Sequence, residues 1–347
     1  MSGFIKPDMQ RQPFTQQTNF NELMFNGGRE EKVKDTYILK IEDLSKTYGR
    51  TKVVDDFNMT VEPGHIYGLI GPNGAGKTTI MKILAGLVLP DGGRITMFGE
   101  SKNLDIARTR CGFMIEAPYL DPSMTARQNM EYMRLLRGVA DSRRIDELLE
   151  YVGLANTGKK IVRRFSLGMK QRLGIAMALL ASPELIVLDE PVNGLDPEGI
   201  VEIRNMLTKL AAEQGIPIII SSHLLAELSE LCTDFTILDK GKLVESLTRE
   251  ELENKCRSYI AVKTDNVHIL TTVVEQKLGI REYKILENDE MHIYEKIDDI
   301  ETISRTITDA GLTITRLNPE GESLEQYYLS KVSSDGSLAD GSERRVR

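Results

Sequence analysis

Three short stretches of the chain hold residue types that could do chemistry. In Gly71-Pro72-Asn73-Gly74-Ala75-Gly76-Lys77-Thr78-Thr79, glycines, one lysine and paired threonines fall at a spacing that suits phosphate. The glycines permit backbone conformations denied to residues with a Cβ, so successive N–H groups can converge on one point. Lys77 offers a compact cation to the β- and γ-phosphates, and Thr78 offers a hydroxyl to Mg2+. In Leu185-Ile186-Val187-Leu188-Asp189-Glu190-Pro191, an apolar run closes on two acids. That is the pattern of a buried strand delivering carboxylates to its end. Ser222-His223 follows a further apolar run, and the histidine there carries weight only through its position after a strand. Together these residues imply binding of a nucleoside triphosphate with a divalent cation.

Such groups need a scaffold, and the flanking sequence reads as one. His65 to Ile70 has the apolar, β-branched look of a buried strand, and Ile80 to Ala85 that of a helix stopping near Gly86. Strand, glycine loop and helix are the context that the phosphate pattern requires. Strands are also expected over 37–41, 53–61 and 94–98, with Asp91-Gly92-Gly93 as a hairpin turn before the last. From Gly112 to about Arg164 the pattern turns helical: Thr125 with Gln128 forms a capping box for a helix through Leu136, and 143–152 has helix spacing. Ser166 caps a further helix that ends before Pro183. A helix over 199–212, a strand over 217–221, a helix over 224–231 and a strand over 235–238 follow, an alternation that implies a largely parallel α/β sheet. After a charged helix at 248–257 the order becomes β-α-β-β-α-β, which suggests a small ferredoxin-like domain. The expected organisation is a flexible leader over 1–35, a nucleotide-binding domain over 36–247 with a helical part at about 112–180, an accessory α+β domain over 248–330 and a disordered tail over 331–347.

Bulk properties narrow the function. The chain has 347 residues and a formal net charge of −8, and its pI of about 5.3 argues against bulk nucleic-acid binding. Cys111, Cys232 and Cys256 lack metal-ligand spacing and read as reduced packing residues of a cytosolic protein. No apolar run approaches the roughly 18–20 residues needed to span a bilayer. A role at a membrane would therefore need a partner that supplies the spanning helices.

Taken in order, these stretches resemble the ATP-binding cassette (ABC) ATPases over about 37–245. Residues 71–78 resemble the family's Walker A loop, and 185–190 its Walker B strand. Phe165-Ser166-Leu167-Gly168-Met169 looks like the signature motif, Gly194-Leu195-Asp196 like the D-loop, and His223 like the switch histidine. Tyr48 sits where the family places the aromatic that stacks on adenine. The resemblance implies a P-loop cassette, with a mixed sheet and RecA-like core plus a helical subdomain, binding ATP and Mg2+. Asp189 is then expected to hold Mg2+, Glu190 to act as general base, and His223 to contact the γ-phosphate. It also implies an ATP-sandwich homodimer, in which the signature, through the N–H groups of Ser166 and Gly168, completes the site of the opposite copy, with Leu167, Met169 and Asp196 also expected to bind nucleotide. A separate multi-spanning permease would be the second partner, placing the chain at the cytoplasmic face of the membrane, with no nucleic acid.

Two departures refine this. Leu167 and Met169 stand where the signature has glycine and glutamine. Glu116, in Phe113-Met114-Ile115-Glu116-Ala117-Pro118, stands where the family has the glutamine of the Q-loop, and keeps an oxygen ligand for the cation. Glutamate there, with the ferredoxin-like part and its ending Ser323-Leu324-Glu325-Gln326-Tyr327-Tyr328, is similar to the cassettes of bacitracin-resistance and lantibiotic-immunity exporters. The rival expectations are a non-transport ABC ATPase acting on nucleic acid or the ribosome, and a nucleotide-dependent regulator. Both are weakened by the acidic balance, the short insert and the absence of a recognisable sensor site.

Overall fold

The computed structural model describes residues 37–332 apart from Leu224, Glu287, Glu322 and Ser323. The expected leader over 1–35 falls outside the described residues, and so does the expected tail from 333 onward.

The sheet that carries the phosphate loop is built from unbroken apolar runs. The strands are β3 (Ile66–Ile70), β5 (Cys111–Met114), β6 (Leu185–Leu188), β7 (Ile218–Ser222), β8 (Asp234–Asp239) and β9 (Lys242–Thr248). Every residue of β3, β6 and β7 is buried, as expected of parallel strands covered on both faces. Their order is β5-β6-β7-β3-β8-β9, parallel throughout except for the antiparallel edge strand β9. Register pairs Ile70 with Ser222, Leu188 with Ile220 and Met114 with Leu188. Four strands therefore end along one edge.

Alternation along the strands divides the core. Ile66, Ile70, Ile186, Leu188, Ile218 and Ile220 face one hydrophobic cluster, while Tyr67, Leu69, Leu185, Val187 and Ile219 face the other. The second cluster is closed by α1 (Lys77–Leu84) and an antiparallel sheet of β1 (Leu39–Tyr48), β2 (Thr51–Val61) and β4 (Gly92–Met97), in the order β2-β1-β4. The short α2 (Leu104–Thr109) follows β4. The first cluster is closed by α3 (Ala126–Leu136), α4 (Arg143–Tyr151), α5 (Leu167–Leu179) and α6 (Pro197–Gln214).

Two sequence expectations are corrected. Asp91-Gly92-Gly93 is not a hairpin turn, because β4 pairs with the distant β1. Gly93 has φ +92°, and a Cβ there would sit 2.6 Å from the Asp43 and Glu42 carbonyl oxygens, so the glycine serves close approach to β1. Asp91 instead accepts hydrogen bonds from Lys46 Nζ at 2.8 Å and Thr47 N at 2.7 Å. The helical part also begins later than 112, since β5 is a strand of the main sheet. A short apolar run carries no period that separates strand from helix.

After α7 (Leu225–Ser229) and α8 (Arg249–Lys255), a second unit forms. It contains β10 (Tyr259–Thr264), α9 (Val267–Gln276), β11 (Tyr283–Ile285), β12 (Met291–Ile293), α10 (Ile300–Asp309) and β13 (Ile314–Glu320). Its sheet is antiparallel, in the order β11-β12-β10-β13, and its core, around Ile260, Leu270, Met291 and Ile303, is its own.

The last helix, α11 (Leu324–Val332), returns to the first unit and includes residues 331 and 332 of the expected tail. Tyr327 is 4% exposed and joins the cluster that holds Leu225 and Leu228. Its hydroxyl donates to Glu245 Oε2 at 2.5 Å, and Lys255 and Lys331 pair with the same carboxylate. Burial alone would push the Glu245 carboxyl up, but hydrogen bonds from Lys255, Tyr327 and Lys331 hold it down at about 2, against an ordinary 4.5. The stabilisation is present above pH 4.5 and is lost as the pH falls through 2.

Tyr327→Ala should cost about 3 kcal/mol by emptying a buried ring site, and Tyr327→Phe about 1 kcal/mol for one hydrogen bond. Urea unfolding of the full chain measures both. Unchanged midpoints would show that α11 is no part of the core.

Candidate functional site

The strand edge described above gathers the residues singled out by chemistry. The phosphate loop leaves β3 at Gly71 and enters α1 at Lys77. A Cβ at Gly71 would lie 2.5 Å from the Leu238 carbonyl oxygen, and one at Gly76 would strike the carbonyl of Val53. Gly74 has open space around it but φ +85°, so its conformation, not its volume, demands glycine. Asn73 and Gly74 form the exposed crest, while Ala75 and Gly76 are buried beneath it. Gly76 is the left-handed N-cap of α1 and provides no side-chain cap. The first N–H groups of α1, at Lys77, Thr78 and Thr79, thus lie at a helix start with its positive dipole end.

Lys77 is 5% exposed, and its ammonium donates to the Gly71 carbonyl at 2.6 Å and the Pro72 carbonyl at 3.2 Å. Burial pushes its pKa down, against the pull of the nearby Glu190 and Asp189 carboxylates. An anion arriving at the loop would relieve that cost.

Asp189 is 3% exposed and fully engaged. Its Oδ2 accepts from Thr78 Oγ1 at 2.9 Å and from the Glu116 N–H at 3.3 Å, and its Oδ1 accepts from Ser221 Oγ at 2.6 Å. Thr78 and Asp189 therefore set two hard oxygens side by side, a donor pair that fits Mg2+ completed by phosphate and water. Glu190 has φ +46° and directs its carboxylate toward Asn193, whose Nδ2 donates at 2.7 Å, and toward His223, whose Nδ1 lies 3.4 Å away. Its backbone N–H donates to Ser221 Oγ at 2.9 Å.

The remaining expected residues stand further out. Glu116 is exposed, with φ +63°, and its carboxylate lies 2.5 Å from Lys82 Nζ, so only its backbone touches Asp189. Tyr48 ends β1 and is 48% exposed, with Lys46 Nζ 5.5 Å from its ring centre. Ser166 is the N-cap of α5 and accepts from the Met169 N–H at 3.3 Å. Leu167 is 47% exposed and packs beside Gly194, while Gly168 faces Leu195. The signature residues thus lie against the D-loop. Asp196 caps α6, its Oδ1 accepting from the Gly199 N–H at 3.2 Å. The sequence reading overlooked Ser221, Asn193 and Lys82. For Ser221 the signal was present: a serine ending an apolar strand that runs parallel to the acid strand.

Among the described residues, no helix is long and apolar enough to cross a membrane. The profile of the ABC transporter family matches residues 54–193. The chain is 39% identical to the bacitracin transport ATP-binding protein BcrA of Bacillus licheniformis, over 85% of this chain and 97% of that protein. It is 44% identical to the lantibiotic transport ATP-binding protein SrtF of Streptococcus pyogenes, over 62% of this chain and 93% of that one. A solved ATP-binding subunit of an ABC transporter superposes with a TM-score of 0.56 at 30% identity, covering 62% of this chain and 92% of that one.

Ser221→Ala would strand both Asp189 Oδ1 and the Glu190 N–H. A loss of about 1–3 kcal/mol in urea unfolding is expected, and an unchanged midpoint would mean that neither group depends on the hydroxyl.

Proposed function

Because this chain belongs to the ATP-binding subunits of ABC transporters, an ATPase family close to the bacitracin and lantibiotic exporters, we propose that it drives a separate permease as an ATP-held homodimer. The observation that carries its nucleotide-binding part is Lys77, a buried ammonium whose direct hydrogen-bond acceptors in the loop are neutral carbonyls. A triphosphate is the counter-charge that such a loop is shaped to receive.

Each side chain then has a task. Lys77 exchanges carbonyl oxygens for phosphate oxygens, and the loop N–H groups hold the rest of the chain of phosphates. Thr78 and Asp189 would hold Mg2+, which would neutralise phosphate charge when bound. Glu190, steadied by Asn193, takes the proton of the attacking water, and His223 keeps that carboxylate and the γ-phosphate in line. Tyr48, exposed at the rim, stacks on the base. Ser166, Leu167, Gly168 and Met169 offer a second helix start, and this wall serves the partner copy, since in its own chain it rests on the D-loop. Asp196 stiffens that D-loop by capping α6.

The permease has a suitable landing place beside Glu116. Leu87, Phe113, Ile115, Tyr119, Met133 and Leu136 line an apolar groove, with Tyr119 83% and Leu136 67% exposed. We read the second unit as ferredoxin-like and as an accessory domain that begins after about residue 247. The bacitracin and lantibiotic transport relatives support a cargo class of antimicrobial peptides or similar amphiphiles; outward movement and a position at the cytoplasmic face of the membrane are part of the same proposal.

Lys77→Ala should abolish ATP binding, whereas Glu190→Gln should keep binding and lower turnover at least about a hundredfold. Equilibrium binding of a fluorescent ATP analogue and phosphate release distinguish the two. Undiminished binding by the first variant, or normal hydrolysis by the second, would contradict the assignment.

A further inference from the structure

Glu116 is held in an unusual way. Its φ of +63° is a left-handed conformation that a residue with a Cβ adopts at an energetic cost, so the surroundings must impose it. Two contacts do so. The backbone N–H is drawn to Asp189 Oδ2 at 3.3 Å, and the carboxylate is drawn to Lys82 Nζ at 2.5 Å. Lys82 lies one helical turn after Thr78 on α1, and Thr78 Oγ1 donates to the same Asp189 oxygen at 2.9 Å. The backbone of Glu116 is thus fixed beside the two-oxygen seat while its charge is parked on a neighbouring lysine.

The pair is easily broken. Its side chains are 31% and 63% exposed, and ion pairs in such settings shift an equilibrium by no more than about fivefold. Since its own backbone N–H reaches Asp189 Oδ2 at 3.3 Å, a carboxylate tethered that weakly has the cation seat as a second partner close by. Neither alone is dominant.

We propose that Lys82 is a positioning residue for Glu116: it holds the carboxylate off the Thr78–Asp189 seat and yields it when a divalent cation fills that seat. This rests on the reading of that seat as the cation site. Lys82 thereby sets how much cation is needed before the loop carrying Glu116 changes partner.

The test uses the full chain with Glu190→Gln, saturated with ATP, and Mn2+ as probe, with free Mn2+ followed by electron paramagnetic resonance. Adding Lys82→Ala should lower the Mn2+ concentration at half-saturation by about two- to fivefold, and Lys82→Arg should restore it. In a Glu116→Gln background the Lys82→Ala shift should be distinctly smaller, since only through-space repulsion between ammonium and cation remains. Equal shifts in both backgrounds, or none in either, would overturn the proposal. A parent chain that takes up no Mn2+ would instead overturn the cation seat itself.

Discussion

The hydrogen bond from Thr78 Oγ1 to Asp189 Oδ2, 2.9 Å long, is the point on which the rest of the structure turns. It joins the first helix after the phosphate loop to the end of the acid strand, although β7 stands between β3 and β6 in the sheet. It can form only because parallel register brings those strand ends level. Ser221 and the backbone of Glu116 bond to the same Asp189 carboxylate, and the buried Lys77 is drawn by both Asp189 and Glu190. Ser221 fills the gap left by the intervening strand, bonding Asp189 with its hydroxyl hydrogen and accepting from the Glu190 N–H.

From that junction the charges are sorted by burial. Lys77 and Asp189 are nearly inaccessible, so neither can be left without a partner at small cost. Glu190, His223 and Glu116 are more open to solvent, the condition for groups that must change partners during a cycle. The signature residues form a second helix start, exposed at Ser166 and Leu167 and backed by the D-loop. A helix start exposed at Ser166 and Leu167 and backed by the D-loop suits a site shared between two copies.

How much of this could be read beforehand depended on how tightly physics restricts each residue. Gly71 and Gly76 were legible because carbonyl groups crowd the positions where a Cβ would go, and Gly74 because of its φ of +85°. The apolar runs of β3, β6 and β7 were legible because both faces are covered. Strand β9 was not, since its exposure alternates and its residues are mostly polar; only Lys240 and Gly241, both with positive φ, marked the turn before it. Gly92 and Gly93 misled because glycine serves close approach as well as turns, and at Gly93 the need is the approach to β1. Helix α11 docks on segments about a hundred residues away, and Lys82 meets Glu116 across 34 positions, so no local pattern announces either contact.

The central claim is that one copy builds only part of each reaction centre and that a second copy supplies the signature wall. Asn73→Cys and Ser166→Cys, combined with Glu190→Gln and with Cys256 replaced by serine, test it by disulfide formation between copies. Both engineered positions are exposed, and Cys111 and Cys232 are buried. The account predicts a covalent dimer that forms with ATP and Mg2+ and not with ADP. Absence of that dimer under ATP, with the double-cysteine chain shown to bind nucleotide, would contradict it.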